Sequence, residues 1–209
     1  MRTFITLSIF LICFDAAAQI TDTPLSHKFI SLSGGRSTHG TGDMIGVSQR
    51  VTYGQYLRRR LFWFSVIGAD IHDGKELSIT TQPDGSTLDH SFRYTSGAIQ
   101  LTGGAGWSFL RTNKSELGVK VGGVLRYQSS SYFDQLAVVF DPQKIGPYPA
   151  TFILNTSPQR TYSVGVGPEA FYQQTIFRSI FGGLSAGFQV DSNGDVLTNI
   201  SFSVGKRIK

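Results

Sequence analysis

Residues equipped for chemistry fall into three groups in this chain. The first is Asp89-His90-Ser91, with His72-Asp73 at the far end of the same polar stretch. A serine made nucleophilic by histidine, with an acid to orient the ring, would cleave or transfer an acyl group. The ends of loops favour the same residue types for local hydrogen bonding, and that is the preferred reading. The second is Asp191-Ser192-Asn193-Gly194-Asp195. Its oxygen donors at the first, third and fifth positions match the start of a calcium loop, but the later glycine and glutamate are missing. Asn193-Gly194 is a strong hairpin turn, which accounts for these residues without a metal. The third group is a scatter of charges, Arg50, Glu116, Lys120, Arg126 and Glu169, each set in a stretch of alternating character. Histidines 27, 39, 72 and 90 lack metal-ligand spacing, and Gly103-Gly104-Ala105-Gly106 lies inside such a stretch, so it cradles no phosphate. No cofactor and no metal are predicted.

What positions the charges is clearest between Ile99 and Tyr127. Glu116, Gly118, Lys120, Gly122 and Arg126 share one parity, and Leu117, Val119, Val121, Leu125 and Tyr127 share the other. Successive strand residues point to opposite faces, so this is a two-faced strand. Ile99, Leu101, Ala105, Trp107 and Phe109 alternate with Gln100, Thr102, Gly104, Gly106 and Ser108 in the same way. The turn at Arg111-Thr112-Asn113-Lys114 joins the two arms. A long hairpin, apolar on one face and polar or small on the other, is the unit of a transmembrane β-barrel.

The same pattern repeats along the chain. Strands are predicted at 27–36, 45–57, 61–70, 99–109, 116–127, 159–173, 180–191 and 195–206. Strand three is apolar on both parities at Leu61, Phe62, Trp63 and Phe64, which leaves its facing open. Pro168 has no N–H to give a ladder, so a bulge is expected there. Long connections (37–44, 72–89, 131–158) alternate with short ones (58–60, 111–114, 174–179). Within 131–158, residues 136–140 and 151–155 read as short strands, either a raised hairpin or two further barrel strands. Tyr56, Phe62, Trp63, Trp107, Phe109, Tyr172, Phe177 and Phe181 lie near the short turns and predict an aromatic girdle at that membrane interface.

Residues 1–18 read as a secretory signal peptide: Arg2, an apolar run from Phe4 to Phe14, and Ala16-Ala17-Ala18 as a cleavage site. The run is too short for a membrane-spanning helix of ~20 residues. Bulky Ile12 before Cys13 argues against a lipid anchor. Cys13 is the single cysteine, so residues 19–209 contain no thiol and form no disulfide. Charged residues make up 16% of the chain, against the usual ~25%, as a largely apolar exterior requires. The net charge of +5 comes from scattered bases. Arg58-Arg59-Arg60 is the longest run and too small a footprint for nucleic acid.

The signal segment, the strand text GGVLRYQSSS, the QVDSNGD turn and the closing ISFSVGKRIK resemble the small outer-membrane β-barrels of the PorT-like and OmpX/OmpW-like kind. The resemblance spans nearly the whole of 19–209 as a pattern rather than a motif. It departs at the end, where Arg207-Ile208-Lys209 replaces the terminal aromatic residue of many such barrels.

Together these readings predict an all-β, eight-stranded antiparallel up-and-down transmembrane barrel in the bacterial outer membrane, with periplasmic termini. Arg50, Glu116, Lys120, Arg126 and Glu169 would face the lumen, as a salt-bridged plug or a polar conduit. A structural, adhesive or secretion-accessory role is expected, without catalysis, in contact with outer-membrane lipid and with a protein partner at the loops. Tyr132, Phe133, Tyr148 and Phe152 are the candidate contacts. The alternatives are a porin-like narrow channel, an outer-leaflet lipid-modifying enzyme, and a soluble lipocalin-like barrel whose apolar side chains would point inward.

Overall fold

The computed structural model describes residues 27–40, 44–81, 85–139 and 150–208. The expected signal peptide and Tyr148 lie outside them. Eight strands close into an antiparallel barrel: β1 (Lys28–His39), β2 (Met44–Tyr56), β3 (Leu61–Glu76), β6 (Phe92–Arg111), β7 (Ser115–Ser130), β10 (Gln159–Phe177), β11 (Ile180–Asp191) and β12 (Val196–Ile208). Each pairs with its neighbour in sequence. The seam between β1 and β12 completes the ring, from Lys28 opposite Ile208 to His39 opposite Leu197. Closure leaves no row of unpaired backbone groups, which in hydrocarbon would cost several kcal/mol per group.

Two short hairpins stand outside the ring, β4 (Ile79–Thr81) with β5 (Thr87–Asp89), and β8 (Gln135–Val139) with β9 (Ala150–Leu154). The second decides between the two alternatives for 131–158: it is a separate hairpin, so the barrel has eight strands and not ten. Its backbone includes Phe152, opposite Ala137. We call the end with these hairpins the loop end. The opposite end, with both barrel termini and the connections around residues 58–60, 112–114 and 178–179, is the turn end.

The odd-even sorting of side chains holds on every barrel strand. Val119, Leu184 and Phe202 point outward, with 36%, 46% and 71% of their surface exposed. They belong to an apolar outer belt that includes Leu32, Val51, Ile67, Leu101, Leu125 and Ile200. This is the reverse of a lipocalin-like arrangement. It suits a barrel whose outer wall meets acyl chains, because a contiguous apolar surface of this size is unfavourable in water.

Several expectations need correction. Residues 37–39 are strand, not loop, and β1 stays paired with β2 to its last residue, with Thr38 opposite Ile45 and His39 opposite Met44. β3 likewise runs on through 72–76. In both places the strand continues beyond the apolar belt, where the alternation is between polar residues and carries no hydropathy signal. Only two connections are therefore long. Pro168 makes no bulge: the β10–β7 register passes through Pro168 opposite Val121 unbroken. On the β11 side the pairing skips Gly167 and Pro168 and resumes in the same register at Glu169 opposite Gly187. The proline's missing N–H thus costs a local interruption of one ladder rather than an inserted residue. The register shifts occur instead between Ser108 and Leu110 and between Thr175 and Phe177.

The expected aromatic girdle is also only partly present. Trp63, Trp107, Phe109 and Phe177 are exposed on the outer wall. Tyr56, Phe62 and Phe181 are 8%, 1% and 0% exposed, because their parity turns them into the lumen. β3's facing is settled the same way, with Phe62 and Phe64 inward and Trp63 outward.

Candidate functional site: the lumen and its loop-end rim

Side chains close the turn-end half of the lumen by a repeated device. Phe29 sits opposite Gly54, Phe62 opposite Gly106, Phe171 opposite Gly118 and Phe181 opposite Gly205. Each ring lies over its paired glycine: a Cβ built on Gly106 would stand 2.1 Å from the Phe62 ring, and one on Gly205 2.4 Å from that of Phe181. Glycine is required here by the close approach of the ring and not by backbone freedom. The rings then meet one another. Phe29 lies 5.8 Å from Phe62 and 6.3 Å from Phe181, edge to face, and Phe62 lies 5.8 Å from Phe171.

A carboxylate is set into this aromatic layer. Glu116, 2% exposed, accepts hydrogen bonds from the Tyr56 hydroxyl and, at 2.5 Å, from Ser108 Oγ. Arg207 Nη2 stands 3.7 Å from its other oxygen. The Arg111 guanidinium covers the Tyr56 ring at 3.2 Å from its centroid. Above this layer, Glu169 joins Lys120 Nζ at 2.9 Å and Arg50 Nη1 at 3.5 Å. The spaces left around these residues are about 30 and 40 Å³. Each takes water and neither admits an organic ligand.

The loop-end half of the lumen has a different character. Arg126, 1% exposed, lies 3.9 Å from Asp191. His39 Nε2 is 3.0 Å from Asp195, and its ring centroid is 5.5 Å from that of His72. His72 Nε2 shares a 2.8 Å hydrogen bond with Ser37 Oγ. Both oxygens of Asp70, the three guanidinium nitrogens of Arg126, His72 Nδ1 and Gln100 Oε1 are buried and make no hydrogen bond to protein. Charge here is balanced by proximity rather than by direct bonding.

Arg50, Glu116, Lys120, Arg126 and Glu169 all turn inward as their parity predicts, but they do not form one cluster. Glu116 belongs to the aromatic layer, Arg50, Lys120 and Glu169 form the middle tier, and Arg126 belongs to the loop-end tier. Asp191 also turns inward, as the parity of its strand predicts, and Asp70, His39, His72 and Arg207 join these tiers without having been expected in the lumen. Asp70 and His72 continue the even parity of Phe62, Phe64 and Val66, which was the available signal.

The residues suggestive of acyl transfer do not converge. His72 is in the lumen, and outward Asp73 pairs with Arg93. Asp89 accepts the backbone N–H of Ser91 at 2.8 Å, and Ser91 Oγ accepts that of Ser78 at 3.2 Å. These are bonds that fasten a small hairpin. At the 191–195 turn, Asp191 Oδ1 accepts the N–H groups of Asn193 and Asp195 at 3.0 and 3.2 Å, and Oδ2 accepts Ser163 Oγ at 2.8 Å. Its oxygens serve the turn. Among the described residues no group of His, Cys, Asp and Glu is placed to hold a metal ion.

On the rim, Tyr132 and Phe133 stack at 4.6 Å and pack with Phe92 and Tyr94, Tyr94 meeting Tyr132 edge to face at 4.9 Å. The rings are half-buried. Beside them Asp134 accepts the backbone N–H groups of Thr156 and Ser157 at 3.1 and 3.2 Å and the Thr156 hydroxyl. Gln159 Nε2 donates to Phe133 O at 2.8 Å. The base of the β8–β9 hairpin is thereby tied to the barrel wall.

This is the fold of the small eight-stranded outer-membrane barrels. Among solved structures, it is similar to Neisserial surface protein A, with a TM-score of 0.55 at 10% identity over 89% of this chain and 100% of that one. It is also similar to Ail, the attachment invasion locus protein of Yersinia pestis, in complex with the heparin analogue sucrose octasulfate, with a TM-score of 0.51 at 8% identity over 88% of this chain and 99% of that one. No protein-family model matches the chain, and a comparison with curated proteins finds no match.

Proposed function

We propose that this chain is an outer-membrane barrel without catalytic or channel activity, which works through the surface its loop end presents to a partner. On this reading residues 1–18 are a cleaved signal, the turn end and both termini face the periplasm, and the loop end faces outward. The apolar belt supports residence in a bilayer. The single observation that carries the closed-lumen reading is the layer of Phe29, Phe62, Phe171 and Phe181 seated on glycines across the turn-end half. The role is structural, adhesive or secretion-accessory. The name of the Ail protein, which refers to attachment, agrees with the adhesive form. Tyr132, Phe133, Tyr148 and Phe152 remain the proposed contacts, of which Tyr132 and Phe133 sit in a braced aromatic cluster suited to a fixed binding surface.

Conductance in a planar bilayer tests the closed lumen. A silent membrane containing folded barrel is the expected result, and regular single-channel steps would establish the porin-like alternative. Photo-crosslinking from positions 132 and 133 in intact cells tests the loop surface, with one recurrent partner expected.

A further inference from the structure

Charge at the turn end has one sign. Lys28, Arg58, Arg59, Arg60, Arg178 and Lys206 are exposed there, and among the described residues no acidic side chain is exposed at that end. Among the described residues the only carboxylate side chain at that depth, Glu116, is buried in the lumen. At the loop end, by contrast, Lys75, Arg93 and Arg160 are interspersed with Asp73, Glu76, Asp89 and Asp134.

One sector of the basic rim is shaped as well as charged. The register shift between Thr175 and Phe177 leaves Ile176 without a partner on β11. Gly182 on the neighbouring strand presents no side chain to the outside, and the tip of Ile176 leans over it, 2.8 Å from where a Cβ would stand. The result is a groove of about 510 Å³ in the outer wall, floored by Gly182 and walled by Tyr172, Ile176, Leu184 and Phe202. Gln174 also borders it and accepts a 3.2 Å hydrogen bond from the Tyr172 hydroxyl. Two cations stand above it. Lys206 lies opposite Ile180, two residues beyond the Gly182–Val204 pair on the same outward face, roughly 6–7 Å further toward the turn end. Arg178 occupies the adjoining turn, its guanidinium over the Phe177 ring at 5.1 Å.

We propose that this groove is a seat for an anionic phospholipid of the adjacent leaflet, with its phosphate held by Lys206 and Arg178 and one acyl chain lying over Gly182 toward Leu184 and Phe202. The groove is mainly apolar, its polar groups being Tyr172, Gln174 and Thr175, and basic residues lie beyond one end only, which is the polarity of a phospholipid. A free phosphate would leave the apolar length unused. A zwitterionic headgroup would set its own ammonium against Lys206 and Arg178, with no exposed acidic side chain among the described residues nearby to receive it. The remaining bases of the rim add a general attraction to the same leaflet.

The proposal rests on the membrane-barrel reading, and the experiment separates the two. The mature chain is refolded into vesicles of equal phosphatidylethanolamine and phosphatidylglycerol, and folding is scored by protease protection and heat-modifiable gel migration. Lipid retained after release into detergent is then counted by native mass spectrometry. Failure to insert would overturn the membrane reading and this proposal with it. Insertion with selective retention of one phosphatidylglycerol, reduced about fivefold by Lys206→Gln and further by adding Arg178→Gln, is the expected outcome. Insertion with equal retention of both lipids, or selectivity unchanged in the double variant, would overturn the lipid seat alone. Displacement of the lipid by millimolar glycerol phosphate would also overturn it, because the site would then read phosphate without a chain. Gly182→Leu, which fills the groove and leaves both cations in place, is expected to insert normally and lose the retained lipid.

Discussion

The two halves of the lumen solve one problem by opposite means. At the turn end the barrel is filled by rings resting on glycines, and its one carboxylate, Glu116, is bonded by Tyr56 and Ser108 and faced by Arg207. At the loop end Asp70, Arg126, His39 and His72 share a space in which much hydrogen-bonding capacity is unused by protein. The first half is held by packing, which tolerates little change of volume. The second is held by a balance of charge, which tolerates little change of sign. A narrow barrel can thus be packed with rings at one end and remain polar at the other.

The largest expected effect comes from emptying the packed half. Phe62→Ala removes the ring at the centre of the aromatic layer and should lower stability by about 4 kcal/mol, measured by urea unfolding from lipid vesicles. Conductance in a planar bilayer should also be higher for this variant than for the native barrel. Next is Arg126→Met, which removes the cation that Asp70 and Asp191 share and should cost about 3 kcal/mol. Adding Asp70→Asn should restore more than half of that loss. If instead the two losses simply add, the loop-end half is not governed by charge balance and the contrast fails. On the outer wall, Leu125→Arg at mid-depth should cost about 2 kcal/mol.

The smallest effect concerns the rim. The Thr156 hydroxyl, then the backbone N–H groups of Thr156 and Ser157, hold the Asp134 carboxyl below the usual carboxylate range. Because that value is lowered in the folded state, the clamp is fully formed above the ordinary carboxylate range and is released as pH falls through the lowered value. Proteolysis of the 131–158 loop should therefore stay constant from neutrality down to about pH 4 and rise below it. In Asp134→Asn it should be raised at every pH.

The barrel was legible in the sequence wherever apolar and polar residues alternate, since the pleat converts parity directly into facing. Val119, Leu184 and Phe202 needed nothing more. Legibility ended where both parities carry the same kind of residue. At 61–64 both are apolar, and at 37–39 and 72–76 both are largely polar, so strand could not be separated from loop or inside from outside. Proximity to a short turn placed Tyr56, Phe62 and Phe181 in the outer girdle, but height along the barrel says nothing about which face a ring occupies. The inward glycines that receive those rings were visible as glycines. Their partnership with particular phenylalanines depends on inter-strand register, which no local window contains. The charged tiers were half legible for the same reason: Glu169 and Lys120 were both assigned inward, yet only their pairing opposite one another makes them an ion pair.

The phenylalanine–glycine pairs carry a consequence for how the barrel is assembled. A slip of two residues along the β1–β2 seam preserves every side chain's facing, so hydropathy cannot reject it. Such a slip would set Phe29 against Thr52 or Tyr56 in place of Gly54, where a second side chain already occupies the space. The same collision recurs in either direction at Phe171, against Glu116 or Lys120, and at Phe181, against Ser203 or Arg207, whereas Phe62 would meet Ser108 in one direction and a second glycine, Gly104, in the other. The rings therefore act as a proofreading key for the β1–β2, β7–β10 and β11–β12 pairings, which cannot shut on a two-residue slip without displacing the interior of the cylinder.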